Sequence, residues 1–200
     1  MSLTLTTPRL LLRPWRDDDV DAFAAMFDDP AVMEFLTPAR GRMSACAETD
    51  RAAIEAIVER VRAHFDRHGF GWWAAELKET QAFIGFIGLS HIPFEAHFTP
   101  AVEIGWRLAS AYWGQGYAAE GARAALAAAF TQLSLAEIVA ITVPANARSR
   151  RLMERIGMTH DPADDFDHPR LAEGHPLRRH VLYRIARAQW QQAESQHRST

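Results

Sequence analysis

Apolar positions change period several times along this chain, and each change marks an element. Residues 10–13 form a short apolar run closed by Pro14 and Trp15, which predicts a strand. Asp17, Asp18 and Asp19 then supply cap and first-turn carboxylates for a helix to about Phe27, with Val20, Phe23, Ala24 and Phe27 at three-to-four spacing. Asp28, Asp29 and Pro30 stop it. A loop at 38–44 leads to a second helix over 47–65, with Ile54, Ile57, Val58 and Val61 on one face. Residues 71–77 and 82–89 read as strands joined by the polar turn 78–81, an antiparallel hairpin. Trp72 and Trp73 are adjacent in the first of these, so they face opposite sides; one side is core and the other is open to a pocket role.

The second half repeats no unit of the first. A loop at 91–100, rich in aromatics and proline, leads to the apolar strand 102–108. Trp113-Gly114-Gln115-Gly116-Tyr117-Ala118 is a tight turn that its glycines leave poor in side chains, and residues 119–130 are almost all strong helix formers. Residues 138–143 form a buried strand, Asn146 caps a helix to Ile156, and Gly157 ends it. After an aspartate- and proline-rich stretch, residues 180–186 return as a final strand. The chain reads as one α/β domain over 7–186, with a polar, fraying tail over 187–200.

Composition narrows the function classes. Apolar residues are 48% and charged residues 24%, ordinary for a soluble protein, and the net charge of −3 gives no electrostatic reason to expect nucleic acid. The single cysteine, Cys46, excludes an internal disulfide. Neither a leader nor an 18-residue apolar run is present, so no membrane and a cytoplasmic location are expected. His168, His175 and His180 are spaced seven and five apart, a pattern no common zinc site uses, and no metal is expected. Asp161, Asp164, Asp165 and Asp167 either draw a cationic amine or form a solvated acidic turn.

The chemistry lies in the strand–glycine turn–helix order at 102–130. Free backbone N–H groups at a helix N-terminus attract an anion, and Gly114 and Gly116 leave room for a phosphate to approach them. The chain's only lysine is Lys78, so there is no P-loop lysine. Two motifs fit. Gly114-x-Gly116-x-x-Ala119 satisfies a permissive dinucleotide fingerprint, but the turn comes after half the chain and the next strand does not end in an acidic residue. The other fit is the acyl-CoA turn, with Gly116 and Ala118 at its last two fixed positions.

Three ordered segments extend that second fit: EIGWRL (103–108), YWGQGYAAEGARAAL (112–126) and Asn146-x-x-Ser149-x-x-Leu152-x-x-x-x-Gly157-Met158. Together with the opening TPRLLLRPW (7–15), the chain resembles the GNAT superfamily of acetyl-CoA-dependent N-acetyltransferases over about residues 7–186, most of all its ribosomal-protein N-terminal acetyltransferase branch. The resemblance implies a GNAT fold, a mixed and mostly antiparallel sheet flanked by about four helices. It implies acetyl transfer from acetyl-CoA to a primary amine, of a protein N-terminus or a small molecule, by direct attack in a ternary complex. It places Trp106, Arg107, Leu108, Gly114, Gln115, Gly116, Tyr117, Ala118, Ala119, Asn146 and Ser149 at the cofactor. Glu103 inherits the general-base role and Ser149 the proton-donor role. Dimers are common in the family.

Two departures stand out. Trp113 replaces a common Gln or Arg, which should alter support of the loop. Met153 replaces the tyrosine that many members use as acid and cannot donate a proton. A non-catalytic acyl-CoA-binding module is therefore the alternative. Arg148, Arg150 and Arg151 are either a contact for the nucleotide end of CoA or a solvated face.

Overall fold

A computed structural model describes residues 3–36 and 51–198. The expected loop at 38–44, the start of the second helix and Cys46 lie outside the described residues. In chain order the elements are β1 (Leu5–Thr6), β2 (Leu10–Arg13), α1 (Asp19–Ala25), α2 (Pro30–Met33), α3 (Arg51–His68), β3 (Trp72–Leu77), β4 (Phe83–His91), β5 (Val102–Leu108), α4 (Tyr117–Thr131), β6 (Glu137–Thr142), α5 (Ala147–Arg155), β7 (Thr159–His160), β8 (Phe166–Asp167), β9 (Arg179–Ala186) and α6 (Arg187–Arg198). They divide into two compact units, Met1–Ser90 with Gly105–Ala125 and His91–Ile104 with Leu126–Thr200, so β5 and α4 each run from one unit into the other.

In the first unit β1, β2, β3 and β4 pair antiparallel in that order. The end of β5 adjoins β4, where Ala109 N–H donates to the Ile84 carbonyl at 3.0 Å. Gly85 makes that approach feasible. Its φ is +132°, and a Cβ there would lie 2.1 Å from the Arg107 carbonyl oxygen, so no side chain fits. Helices α1 and α3 bury Phe23, Ile54, Val58 and Phe65, the faces their periodicity predicts. Asp19, expected among the cap and first-turn carboxylates of α1, has another task. It is buried and takes a two-point ion pair from Arg13 at 2.7 and 2.8 Å, while Arg13 Nε donates to Glu76 at 2.6 Å. Trp73 is core, its indole N–H donating to the Leu3 carbonyl at 2.6 Å.

In the second unit β5 pairs parallel with β6 through one register pair, Glu103 opposite Val139. Strand β6 pairs antiparallel with β9 over six positions, and β9 also carries β7 and β8. The buried cluster here comprises Ile92, Phe98, Val139, Phe166 and Leu182. The stretch after Ala186, expected to fray, is helix α6. Trp190 packs against Phe130 at 5.5 Å, and the Arg187 guanidinium donates twice to the Leu135 carbonyl. With the four-residue α2, this raises the helix number from the expected four to six among the described residues. No helix among them is long and apolar enough to cross a membrane.

Candidate active site

The first unit holds the turn. After β5 a single 3-10 turn (Ser110–Tyr112) leads to Trp113, whose indole N–H donates to the Leu108 carbonyl at 2.8 Å. Trp113 thus ties the end of the strand to the turn, the supporting role its departure from the family pattern implies. Gly114 and Gly116 follow at φ +73° and +83°, and residues 114–116 are exposed. The first bond of α4 runs from Glu120 N–H to the Gly116 carbonyl at 3.0 Å, so the amides of Tyr117, Ala118 and Ala119 are the orphan donors of a helix start. Gln115 keeps its side chain out of the way by donating to the Ala111 carbonyl at 3.0 Å.

Sequence reasoning missed the clamp on this turn. Arg9 donates to the Gln115 carbonyl at 3.0 Å, lies 4.4 Å over the Tyr117 ring and pairs with Glu120 at 2.6 Å. Glu120 also accepts from the Thr7 hydroxyl at 2.6 Å and from Arg9 N–H at 2.8 Å. Burial works to raise the Glu120 carboxyl, but the hydrogen bonds from Thr7 and Arg9 outweigh it and hold it below the ordinary range. The signal was the opening Thr7-Pro8-Arg9, which pattern alone reads only as the approach to a strand. Open amides, two glycines without side chains and the Arg9 guanidinium suit a pyrophosphate, so the residues fit the phosphates of CoA.

Arg107 does not point its charge at a counter-ion. Its guanidinium lies 5.3 Å over the Phe86 ring and 5.6 Å over the Phe27 ring, and its Nε is buried with no hydrogen-bond partner among the described residues. Burial pulls its pKa down to about 10. Trp72 stacks on Phe86 at 5.0 Å, and its indole N–H is likewise buried without a partner among the described residues. Leu108 is buried, Trp106 is half-buried, and Ala118 and Ala119 open the helix.

The second unit holds the acid–base candidates. Registered residues of a parallel pair share a face, so Glu103 lies on the side of Val139 and its apolar cluster. Glu103 is half-buried there, and its partial withdrawal from water raises the carboxyl to about 7, with no hydrogen bond or ion pair reaching it among the described residues. Asn146 caps α5 as expected. Its Oδ1 accepts from Ser149 N–H at 3.1 Å, and its Nδ2 donates to Thr142 Oγ1 at 3.1 Å. Ser149 is half-buried in the first turn, and its hydroxyl has no partner among the described residues. Met153 is buried.

The polar side chains of the 159–184 segment are taken up by the fold. Asp164 binds Arg184 at 2.7 Å, Asp165 binds His160 at 2.7 Å, and Asp167 lies 3.4 and 3.5 Å from Arg178 and Arg179. Asp161 caps a short 3-10 turn, so these carboxylates hold the 159–184 segment together instead of forming an open acidic patch. Arg150 is likewise structural, donating to Tyr183 Oη at 3.2 Å and to the Pro144 carbonyl at 3.2 Å. The His168 and His180 rings are 5.0 Å apart, and one nitrogen of each is engaged locally, by Arg170 N–H and the Arg178 carbonyl. Burial, then the neighbouring His180 and Arg170, hold His168 down at about 4, so its ring is neutral near pH 7.

A sequence model described as "Acetyltransferase (GNAT) domain" matches residues 9–159. FsC-acetyl coenzyme A-N(2)-transacetylase of Aspergillus fumigatus is 32% identical over 195 residues, covering 94% of this chain and 77% of that protein. The uncharacterized protein YkkB of Bacillus subtilis is 32% identical over 155 residues, 77% of this chain and 84% of that one. A crystal structure of an acetyltransferase from Agrobacterium tumefaciens superposes with a TM-score of 0.70 at 30% identity, covering 92% of this chain and 95% of the other.

Proposed function

This chain belongs to the GNAT acetyltransferase family, and from that premise we propose that it transfers acetyl from acetyl-CoA to a primary amine by direct attack in a ternary complex. Its α/β fold, with a mixed and mostly antiparallel sheet, is the GNAT fold. One observation carries the reading. An unpartnered carboxyl held near pH 7, Glu103, sits on the strand that leads into an open glycine turn at a helix start.

Acetyl-CoA supplies a thioester that is already activated, so the chain needs no covalent nucleophile. The amides of the 114–119 turn and Arg9 hold the pyrophosphate, and Trp106, Arg107 and Leu108 contribute backbone beside the pantetheine arm. Asn146 fixes the first turn of α5 and is a further candidate for contact with the cofactor. Glu103 Oε takes a proton from the acceptor nitrogen, directly or through water; a pKa near 7 keeps much of it ionised at neutral pH yet basic enough to act. Ser149 Oγ donates a proton to the departing thiolate. The acceptor is a protein N-terminus, as in the branch the sequence most resembles, or a small molecule. An α-amine, with a pKa of roughly 7.7–8.0, needs less help to lose its proton than a lysine at about 10.4.

The test is thiol release from acetyl-CoA across a panel of small amines and N-terminal peptides, beside calorimetric titration with CoA. Release with at least one amine supports the transferase. Tight CoA binding with no release from any acceptor supports the binding-only module, which the buried Met153 at the donor position favours.

A further inference from the structure

Most buried guanidinium groups are answered by a carboxylate, as Arg13 is by Asp19 and Glu76 in this same unit. Arg107 is not. Among the described residues its Nε is buried without an acceptor, its charge rests on the faces of Phe27 and Phe86, and no acidic group offsets its burial. A cation over two ring faces keeps part of its attraction, but its N–H edge still lacks an acceptor. Beside it, Trp72 stacks on Phe86 and leaves its own indole N–H buried and unanswered. Both groups also meet β5. Arg107 projects from the strand face that Gly105 shares, and a Cβ on Gly105 would have the Trp72 Nε1 as its one close neighbour, at 3.6 Å. Two unfilled donors therefore border one aromatic wall, with a glycine leaving space before one of them.

We propose that Arg107 and Trp72 seat a carboxylate carried by the acceptor amine, so that the substrate class is an amine bearing a carboxylate. A guanidinium edge matches the two oxygens of a carboxylate, and one cation balances its single charge, whereas a doubly charged phosphate would stay under-neutralised. The rings of Phe27 and Phe86 exclude water from the pair, which strengthens it. Arg107 and Trp72 act here on substrate binding and take no part in proton transfer. The assignment rests on the acetyltransferase reading for its amine and on these side chains for its anion.

The experiment compares matched acceptors, glycine, γ-aminobutyrate and ε-aminocaproate, each against its carboxamide, at fixed acetyl-CoA. At least one acid should exceed its amide tenfold or more in kcat/KM, chiefly through KM. Arg107→Gln should bring that ratio to about one, while Arg107→Lys should keep part of it. A second arm needs no turnover. In the presence of CoA, tryptophan fluorescence should respond saturably to the acid and not to the amide, and the response should vanish in Trp72→Phe. Equal behaviour of acids and amides with the parent protein, in both arms, overturns the proposal whether or not a variant folds. Acetylation of amines without acid preference would overturn it and leave the acetyltransferase reading standing. Acid-selective fluorescence without thiol release from any amine would leave the seat standing and overturn the acetyltransferase reading.

Discussion

At the scale of single residues, environment decides what a side chain can do. Glu103 is an ordinary glutamate raised to about 7 because it is withdrawn from water on the side of Val139, and among the described residues no cation offsets that burial. As general base it must be ionised, so kcat/KM should rise with pH through about 7. Glu103→Gln, nearly the same shape, should lower the rate by about 10²–10⁴-fold and remove that limb, with CoA affinity unchanged by calorimetry. Full activity of the variant at low pH would move the base elsewhere, or leave positioning of a neutral amine as the source of rate. Ser149 has a hydroxyl without a partner among the described residues in the first turn of α5. Ser149→Ala should lose activity with acetyl-CoA and lose less with thioesters of more acidic thiols, because such leaving groups need no proton. An equal loss across the thiol series would remove Ser149 as donor.

At the scale of elements, the ends of α4 and α5 are where sequence becomes a site. The turn before α4 holds Gly114 and Gly116 at positive φ, and Arg9 Nη2 lies 3.4 Å from where a Cβ on Gly116 would stand. Gly116→Val therefore strains the turn and crowds the clamp together, with the far end of a flexible arginine able to give way. The acetyl-CoA dissociation constant should rise at least tenfold by calorimetry, while circular dichroism stays native; an unchanged constant would remove the turn from cofactor binding. At α5 the cap is a single bond from Ser149 N–H to Asn146. Asn146→Ala should cost roughly 0.5–2 kcal/mol in chemical denaturation, and cofactor affinity besides, while Asn146→Asp should keep the cap. Parent-like acetyl-CoA binding in both variants would make Asn146 structural only.

At the scale of the whole molecule, the Glu103 carboxyl ties stability to pH. Its folded pKa, about 7, lies above the ordinary 4.5, so between those values the folded chain holds a proton that the unfolded chain has released. Stability from this group is thus fully present below about pH 4.5 and is lost as pH rises to about 7. The Gln variant has nothing to titrate there. Its stability relative to the parent should climb across that window by about 1–3 kcal/mol and then level off, as followed by urea melts at several pH values. A flat difference would mean that Glu103 is better solvated than its surroundings imply. Local pattern was enough for the strands 10–13 and 102–108, the Asn146 cap and the glycine turn, because periodicity and cap chemistry act within a few residues. Order along the chain was enough for the family, since three motifs in sequence specify one fold. Long-range partners were beyond it. Asp19 shares Arg13 with Glu76, Arg9 clamps a turn more than a hundred residues away, Asp164, Asp165 and Asp167 pair with Arg184, His160 and the Arg178–Arg179 pair, and the polar stretch after Ala186 becomes a helix by seating Trp190 on Phe130. Which charge is answered, and which one, like Arg107, is left open, depends on groups that only folding brings together. Burial and pairing are properties of that assembled neighbourhood, and no window along the sequence contains them.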